Sequence, residues 1–201
     1  MAEQRQHVDF FRKKLLRKRL LVCAEPGAAY VPFIGDGDLA TDLYQDRFVL
    51  GADLDPQRVA TAQTRGLAGD FRVGDCDQWL FADRDDPIAI ADFDAYSEPY
   101  VSFRSFWQCA DKADRMVLFF TDGHKMGMTW SGYFIKPDGS KEVLRGKGKL
   151  AKAPHINFYF RDHVLKWFME YIAGDGYCLT RKLQYNRALM VYWGCVIDKV
   201  E

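Results

Sequence analysis

Between Tyr30 and Thr121 short apolar runs alternate with helical patterns, and nearly every run ends in small or acidic residues. The runs Tyr30–Ile34, Arg47–Leu54, Phe71–Val73, Ile88–Ala91 and Arg115–Thr121 are too short for helices and suit strands of a covered sheet. Leu39–Tyr44, Gln57–Arg65 and Tyr100–Ala113 read as the intervening helices, with Pro56 placed to open the second. Such alternation predicts an α/β fold with a mostly parallel sheet and helices on both faces. Right-handed crossovers then bring every strand's carboxyl end to one side. Four of those ends carry Gly35-Asp36-Gly37, Asp53, Asp75, and Asp92 with Asp94. Ligands of open α/β sheets bind at that edge. Strands that simply leave into solvated acidic loops would carry the same residues, so the order of the motifs has to decide.

At 201 residues the chain suits one well-buried domain, spanning 1–201, and is short for two. Positions 1–29 form a basic helix and loop ahead of the sheet. Within them Val8–Val22 reads as an amphipathic helix whose stripe is Phe11, Leu15, Leu16 and Leu20. The Gly- and Lys-rich segment 129–153 reads as an insertion or exposed loop. An apolar helix over His163–Ile172 is followed by two strands, Tyr177–Gln184 and Ala188–Ile197, joined by a turn at Tyr185-Asn186-Arg187. The expected ending is therefore an antiparallel hairpin.

Charge balances overall, with 28 basic and 28 acidic residues, but it is segregated. Phe10–Leu21 holds Arg12, Lys13, Lys14, Arg17, Lys18 and Arg19 and no acid, and Lys136–Lys152 is basic again. Both stretches suit a polyanion such as tRNA or DNA, although solvated faces have the same composition. The five dispersed cysteines contain no C-x-x-C pair, and the four histidines are isolated, which argues against a disulfide framework or a metal site. No secretory signal or membrane-length apolar run is present, so the expectation is a cytoplasmic protein without membrane contact.

The edge residues suit a particular ligand. A glycine turn after the first strand allows close backbone approach, but the full G-x-G-x-x-G is missing and Asp36 and Asp38 discourage a pyrophosphate. A carboxylate ending the second strand can accept from both hydroxyls of a ribose. A ribose carrying positive charge fits this rim, and S-adenosylmethionine is such a ligand. In their order these elements resemble the class I S-adenosylmethionine-dependent methyltransferases, across Tyr30 to Ile197. The resemblance implies a Rossmann-like methyltransferase fold with S-adenosylmethionine as cofactor. It implies that Gly35, Asp36 and Gly37 pass under the methionine part, that Asp53 with Leu54 holds the ribose end, and that Asp75 and the backbone of Cys76 meet the adenine.

The fourth run, IADFDAYSEP, is similar to the D-x-D-P-[FY]-G-S-P signature of tRNA methyltransferases that modify a guanine exocyclic amine. Asp92, Asp94, Tyr96 and Pro99 match, and Thr121-Asp122 resembles that family's later T-D. Ala95, Ser97 and Glu98 depart from it, and that family's large C-terminal domain has no counterpart here. The resemblance implies that Asp92 faces the cofactor or orients the loop, that Asp94 accepts from the amine, and that Tyr96 stacks on the base. Helix capping by Asp94 and core packing by Tyr96 are the plain alternatives. The reading is methylation of a nucleic-acid base amine, with RNA favoured over DNA. A small-molecule or protein methyltransferase and a non-catalytic binding subunit, partnered by another protein, are the competing readings.

Overall fold

A computed structural model describes residues 9–81, 86–95, 98–124, 128, 133–143, 159–187 and 190–200. The elements are α1 (Phe10–Leu21), β1 (Ala28–Pro32), α2 (Asp38–Leu43), β2 (Val49–Asp53), α3 (Pro56–Gln63) and β3 (Gly69–Val73). They continue with β4 (Ile88–Phe93), α4 (Tyr100–Cys109), β5 (Lys112–Asp122), β6 (Tyr133–Ile135) and β7 (Lys141–Val143). A π-helical turn, Phe160–Leu165, runs into α5 (Lys166–Ala173), followed by β8 (Tyr177–Arg187) and β9 (Met190–Lys199).

Seven strands form one sheet in the order β3-β2-β1-β4-β5-β9-β8. β1 to β5 run parallel, while β9 is antiparallel to β5 and β8 antiparallel to β9. The order reverses between β1 and β4, so the crevice expected for a ligand opens beside the ends of β1, β2 and β4. β1 and β4 are buried along their whole length, which is why they read as continuous apolar runs. Pro32 is tolerated in central β1 because it is the last residue, and the next donor to β2 is Ile34, whose N–H meets the Ala52 carbonyl at 2.8 Å.

One face of the sheet packs α4 and α5 through Phe103, Phe106, Phe168 and Ile172, with Phe120 stacked on Trp193 at 4.4 Å. Such side chains each contribute about 1.5–3 kcal/mol by burial. The other face packs α1, α2 and α3 through Leu16, Leu20, Ala40 and Ala62. Gly194 of β9 makes this docking possible: a Cβ there would lie 2.6 Å from the Phe119 ring and 2.9 Å from Leu20.

Four expectations need correction. The buried positions of α1 are Leu16, Arg17 and Leu20, whereas Phe11 is 72% and Leu15 39% exposed, because the helix turns Arg17 rather than Phe11 toward the sheet. Helix α4 stops at Cys109, and Lys112 and Ala113 already belong to β5. Strand β8 runs on through Tyr185-Asn186-Arg187, paired with Tyr192, Val191 and Met190, so those residues are strand and not the turn. Part of 129–153 is regular after all, because β6 and β7 pair as a small antiparallel hairpin. The rest of that segment lies outside the described residues. Among the described residues no helix is long and apolar enough to cross a membrane.

Candidate functional site

The loop after β1 is built for close approach. Phe33 adopts φ 63°, a left-handed conformation that a bulky side chain seldom takes, and its N–H points at the Cys76 Sγ at 3.4 Å. Gly37 has φ 80°, and a Cβ there would press on Ala62 at 3.1 Å, so glycine is required on both counts. The Asp36 carbonyl accepts from Arg65 Nε at 3.1 Å, and Arg65 also pairs with Asp38 at 2.5 Å. The loop is thus pinned to the end of α3 before any ligand arrives.

Asp53 is held in place by the same loop. Its Oδ2 accepts from the Gly35 N–H at 3.0 Å and its Oδ1 from the Asp55 N–H at 3.0 Å. A carboxylate has about four acceptor sites, so two such bonds leave capacity for ribose hydroxyls. Next to it Leu54 is 67% exposed, and Val73, in register with Asp53 on the neighbouring strand, is 54% exposed. Together they form an apolar ledge at the strand ends. Asp75 is exposed and closes its own turn by accepting from the Asp77 N–H at 3.0 Å. Cys76 is buried, its carbonyl accepts from Ser102 Oγ at 2.5 Å, and burial pushes its thiol up to about 11. Gly35, Asp36, Gly37, Asp53, Leu54, Asp75 and Cys76 therefore belong to adjoining strand ends and loops.

Of the two roles open to Asp92, facing the cofactor or orienting the loop, its burial takes it away from the first. It is fully buried, and Arg17 Nε and NH2 grip its two oxygens at 2.6 Å each while the Tyr44 hydroxyl donates at 2.7 Å. The reason is α1, which lays Arg17 across the end of β4. The bidentate pair holds the guanidinium charged, with its pKa raised despite burial, and burial beside Asp92 keeps the Tyr44 hydroxyl protonated.

Asp94 is on the same side, as alternation requires, but nearer the edge and 21% exposed. Its Oδ1 accepts from Lys13 Nζ at 2.6 Å and from the Thr121 hydroxyl, and Arg17 NH2 stands 3.8 Å away. Burial pushes this carboxyl up, but Lys13 and Arg17 outweigh it and hold it below the ordinary carboxylate value. All three contacts fall on Oδ1, and Oδ2 takes none of them. Tyr96 lies outside the described residues.

A second polar cluster, on the opposite face, escaped the reading of the sequence. Asp122 Oδ2 accepts from the Tyr100 hydroxyl at 2.8 Å, and Oδ1 accepts from the His124 N–H at 2.8 Å and lies 2.6 Å from His124 Nδ1. His124 Nε2 meets the Ile135 carbonyl on β6. Both ring nitrogens face acceptors, an arrangement satisfied by the imidazolium, which donates from each. Burial opposes that charge, but Asp122, Glu98 and the carbonyl outweigh it and raise the His124 pKa, while His124 lowers that of Asp122. The imidazole lies between Tyr100 at 5.7 Å and Tyr159 at 5.3 Å. Glu98 accepts from the N–H groups of Tyr100 and Val101 at 2.7 and 3.1 Å, which caps α4. The only local signal for this cluster was Thr121-Asp122. Among the described residues no group of three His, Cys, Asp or Glu side chains could hold a metal ion.

No family model matches the sequence, and no curated protein sequence matches it. Solved structures do. The N-methyltransferase NodS from Bradyrhizobium japonicum WM9, bound to S-adenosyl-L-homocysteine, superposes with a TM-score of 0.60 at 11% identity, covering 98% of this chain and 90% of NodS. TYW2 of M. jannaschii, in complex with AdoMet, gives 0.60 at 11% identity over 99% of this chain and 80% of its own. The magnesium protoporphyrin IX methyltransferase of Synechocystis PCC 6803 gives 0.56 at 12% identity over 94% and 83%. The chain has the class I methyltransferase fold. In this methyltransferase fold the crevice at the β1–β4 reversal is framed by Gly35, Asp53 and Asp94, with Asp92 sealed beneath it by Arg17.

Proposed function

We propose that the protein is an S-adenosylmethionine-dependent methyltransferase acting on an exocyclic amine of a nucleic-acid base. The observation that carries the cofactor half is Asp53, fixed by the Gly35 N–H at the reversal point with acceptor capacity to spare. The rim fits the ligand: it is acidic where a phosphate would need cations, and Leu54 and Val73 offer apolar contact for a base ring. Asp53 would hold the ribose, the Gly35–Gly37 loop the methionine part, and the Asp75–Cys76 turn with Leu54 the adenine. When bound, the cofactor supplies a methyl group on a sulfonium, which needs an in-line lone pair.

The chain's own contribution to that step is orientation. An exocyclic amine delocalises its lone pair into the ring and is a poor nucleophile. Asp94 Oδ2 accepts one N–H of the amine, which favours the geometry in which the lone pair points at the methyl group. Lys13 and Thr121 hold the other oxygen, so the carboxylate is fixed in direction and stays ionised. As the nitrogen–carbon bond forms, the sulfur–methyl bond would break to leave a neutral thioether, and the proton shed by the nitrogen would pass to Asp94 Oδ2 or to water. Tyr96, two residues on, is the candidate base-stacking side chain.

The test is transfer of a labelled methyl group from S-adenosylmethionine to tRNA and to DNA by wild type and Asp94→Ala. The expected result is transfer by wild type, a loss of about 10²-fold or more in the variant, and cofactor affinity little changed. Undiminished transfer by Asp94→Ala, or transfer only to small molecules, would overturn the reading.

A further inference from the structure

The cations of α1 divide into two rows. Lys13, Lys14 and Arg17 turn inward and pair with Asp94, Asp42 and Asp92. Arg12, Lys18 and Arg19 turn outward, are exposed, and make no ion pair among the described residues. The neighbouring element continues this outer row. On β8, the edge strand of the sheet, exposed Arg181 does so, whereas Arg187 pairs with Asp9 and Lys182 turns to the other face, its Nζ 5.1 Å over the Phe160 ring. The two elements lie side by side: the Arg12 guanidinium sits over the Tyr185 ring at 4.7 Å, and Arg181 NH1 approaches the Cys23 Sγ just beyond α1 at 3.4 Å. β8 thus runs antiparallel to the helix, bringing exposed Arg181 beside the Lys18–Arg19 end.

The strip is not uniformly charged. Phe11 and Leu15 stand exposed between its cations, and Tyr185 lies flat beneath Arg12, stacked at 6.2 Å on Tyr192. Cations interleaved with flat apolar surface suit a chain of phosphates carrying unstacked bases. Position matters as much as composition. The inner row of the same helix reaches the crevice, where Lys13 holds Asp94, so the outer strip starts at the rim and leads away along the side of the domain. The length from Arg12 to Arg19 is about 10 Å along the helix.

We propose that Arg12, Lys18, Arg19 and Arg181 form a docking strip for the phosphate backbone of a single-stranded nucleic acid, seating it so that a neighbouring base reaches Asp94. This deepens the reading of a base-amine methyltransferase and rests on it. The inner cations take no part, since their charge is spent on the protein's own carboxylates.

The experiment measures binding of a single-stranded RNA oligonucleotide to the full chain at several salt concentrations. It compares wild type, the variant R12Q/K18Q/R19Q/R181Q, and a control, R58Q/K166Q, that removes exposed charge elsewhere. Methyl transfer to the same RNA and a cofactor titration run in parallel. Four phosphate contacts predict a log–log salt slope steeper in wild type than in the fourfold variant by about 3, near 0.7 per contact for single strands. The variant should bind at least tenfold more weakly at low salt, with cofactor affinity and thermal unfolding unchanged, while the control behaves as wild type. Substituting only Lys18 and Arg181 should give half the slope change, which covers the case of a misfolded fourfold variant. Equal slopes in wild type and variant, with methyl transfer intact, overturn the strip alone. Absence of both binding and transfer in wild type overturns the acceptor reading as well. Strip-dependent binding to vesicles containing anionic lipid, without binding to RNA, assigns this face to a membrane and overturns the proposal.

Discussion

Two buried carboxylates on opposite faces of one sheet are neutralised by different means. Under α1, Asp92 is locked by a bidentate Arg17 and a tyrosine hydroxyl. Under the π-helical turn, Asp122 is held by Tyr100 and His124, whose other nitrogen reaches Ile135 of the β6–β7 hairpin. An arginine stays charged at every accessible pH, whereas an imidazolium does not. The first arrangement is a permanent rivet joining α1 to the end of β4. The second is a joint whose strength depends on a proton, and it ties the β6–β7 hairpin to the end of β5.

Removing the rivet should have the largest effect. Arg17→Met leaves the Asp92 carboxylate buried without its counter-ion and should cost about 3–5 kcal/mol in denaturant unfolding. The double variant Arg17→Met with Asp92→Asn should recover much of that loss, because the uncompensated charge is then gone. A single substitution costing less than 1 kcal/mol would show that α1 does not depend on the pair.

The pH dependence separates the two sites next. The raised His124 pKa contributes stability that is fully present below the ordinary imidazole value of 6.5 and fades as pH rises through the raised value. The lowered Asp122 pKa contributes stability present above the ordinary 3.8 and lost as pH falls through the lowered value. The pair is therefore strongest between those ordinary values. His124→Gln should lower stability by about 1–3 kcal/mol near pH 5.5 and by less near pH 9, flattening the wild-type curve. A pH-independent difference between the two proteins would contradict the charged-imidazole description.

Surface pairs provide the small end of the scale. Lys14 and Asp42 approach to 2.5 Å, but their side chains are 26% and 40% exposed. Lys14→Ala should change stability by at most about 1 kcal/mol, and added salt should shrink the effect. A larger, salt-insensitive loss would mean that Lys14 holds α1 by more than an exposed ion pair.

Legibility in the sequence follows the same division. The parallel sheet, its order of strands and helices, and the acidic edge could be read because buried strands are short apolar runs and crossovers have a fixed hand. Asp53 and the glycine loop lie within that pattern and were found with it. Arg17 was not, because its partner is 75 residues away and a basic run looks solvated from composition alone. What marked it was position: it follows Leu16 and precedes Leu20 on the buried stripe, where a cation needs a partner. His124 is isolated in sequence and acquires its role only when β6 delivers the Ile135 carbonyl. Tyr185-Asn186-Arg187 reads as a turn by composition, yet it is held in the ladder by β9.

Calorimetric titration of S-adenosylmethionine into wild type and Asp53→Ala reads whether the reversal crevice takes the proposed cofactor through Asp53. Wild type should show one site, and the variant should lose about 1.5–3 kcal/mol of binding, at least tenfold in Kd, with the thermal unfolding of the free protein little altered. No binding by wild type, or equal affinity in the two proteins, would contradict that assignment.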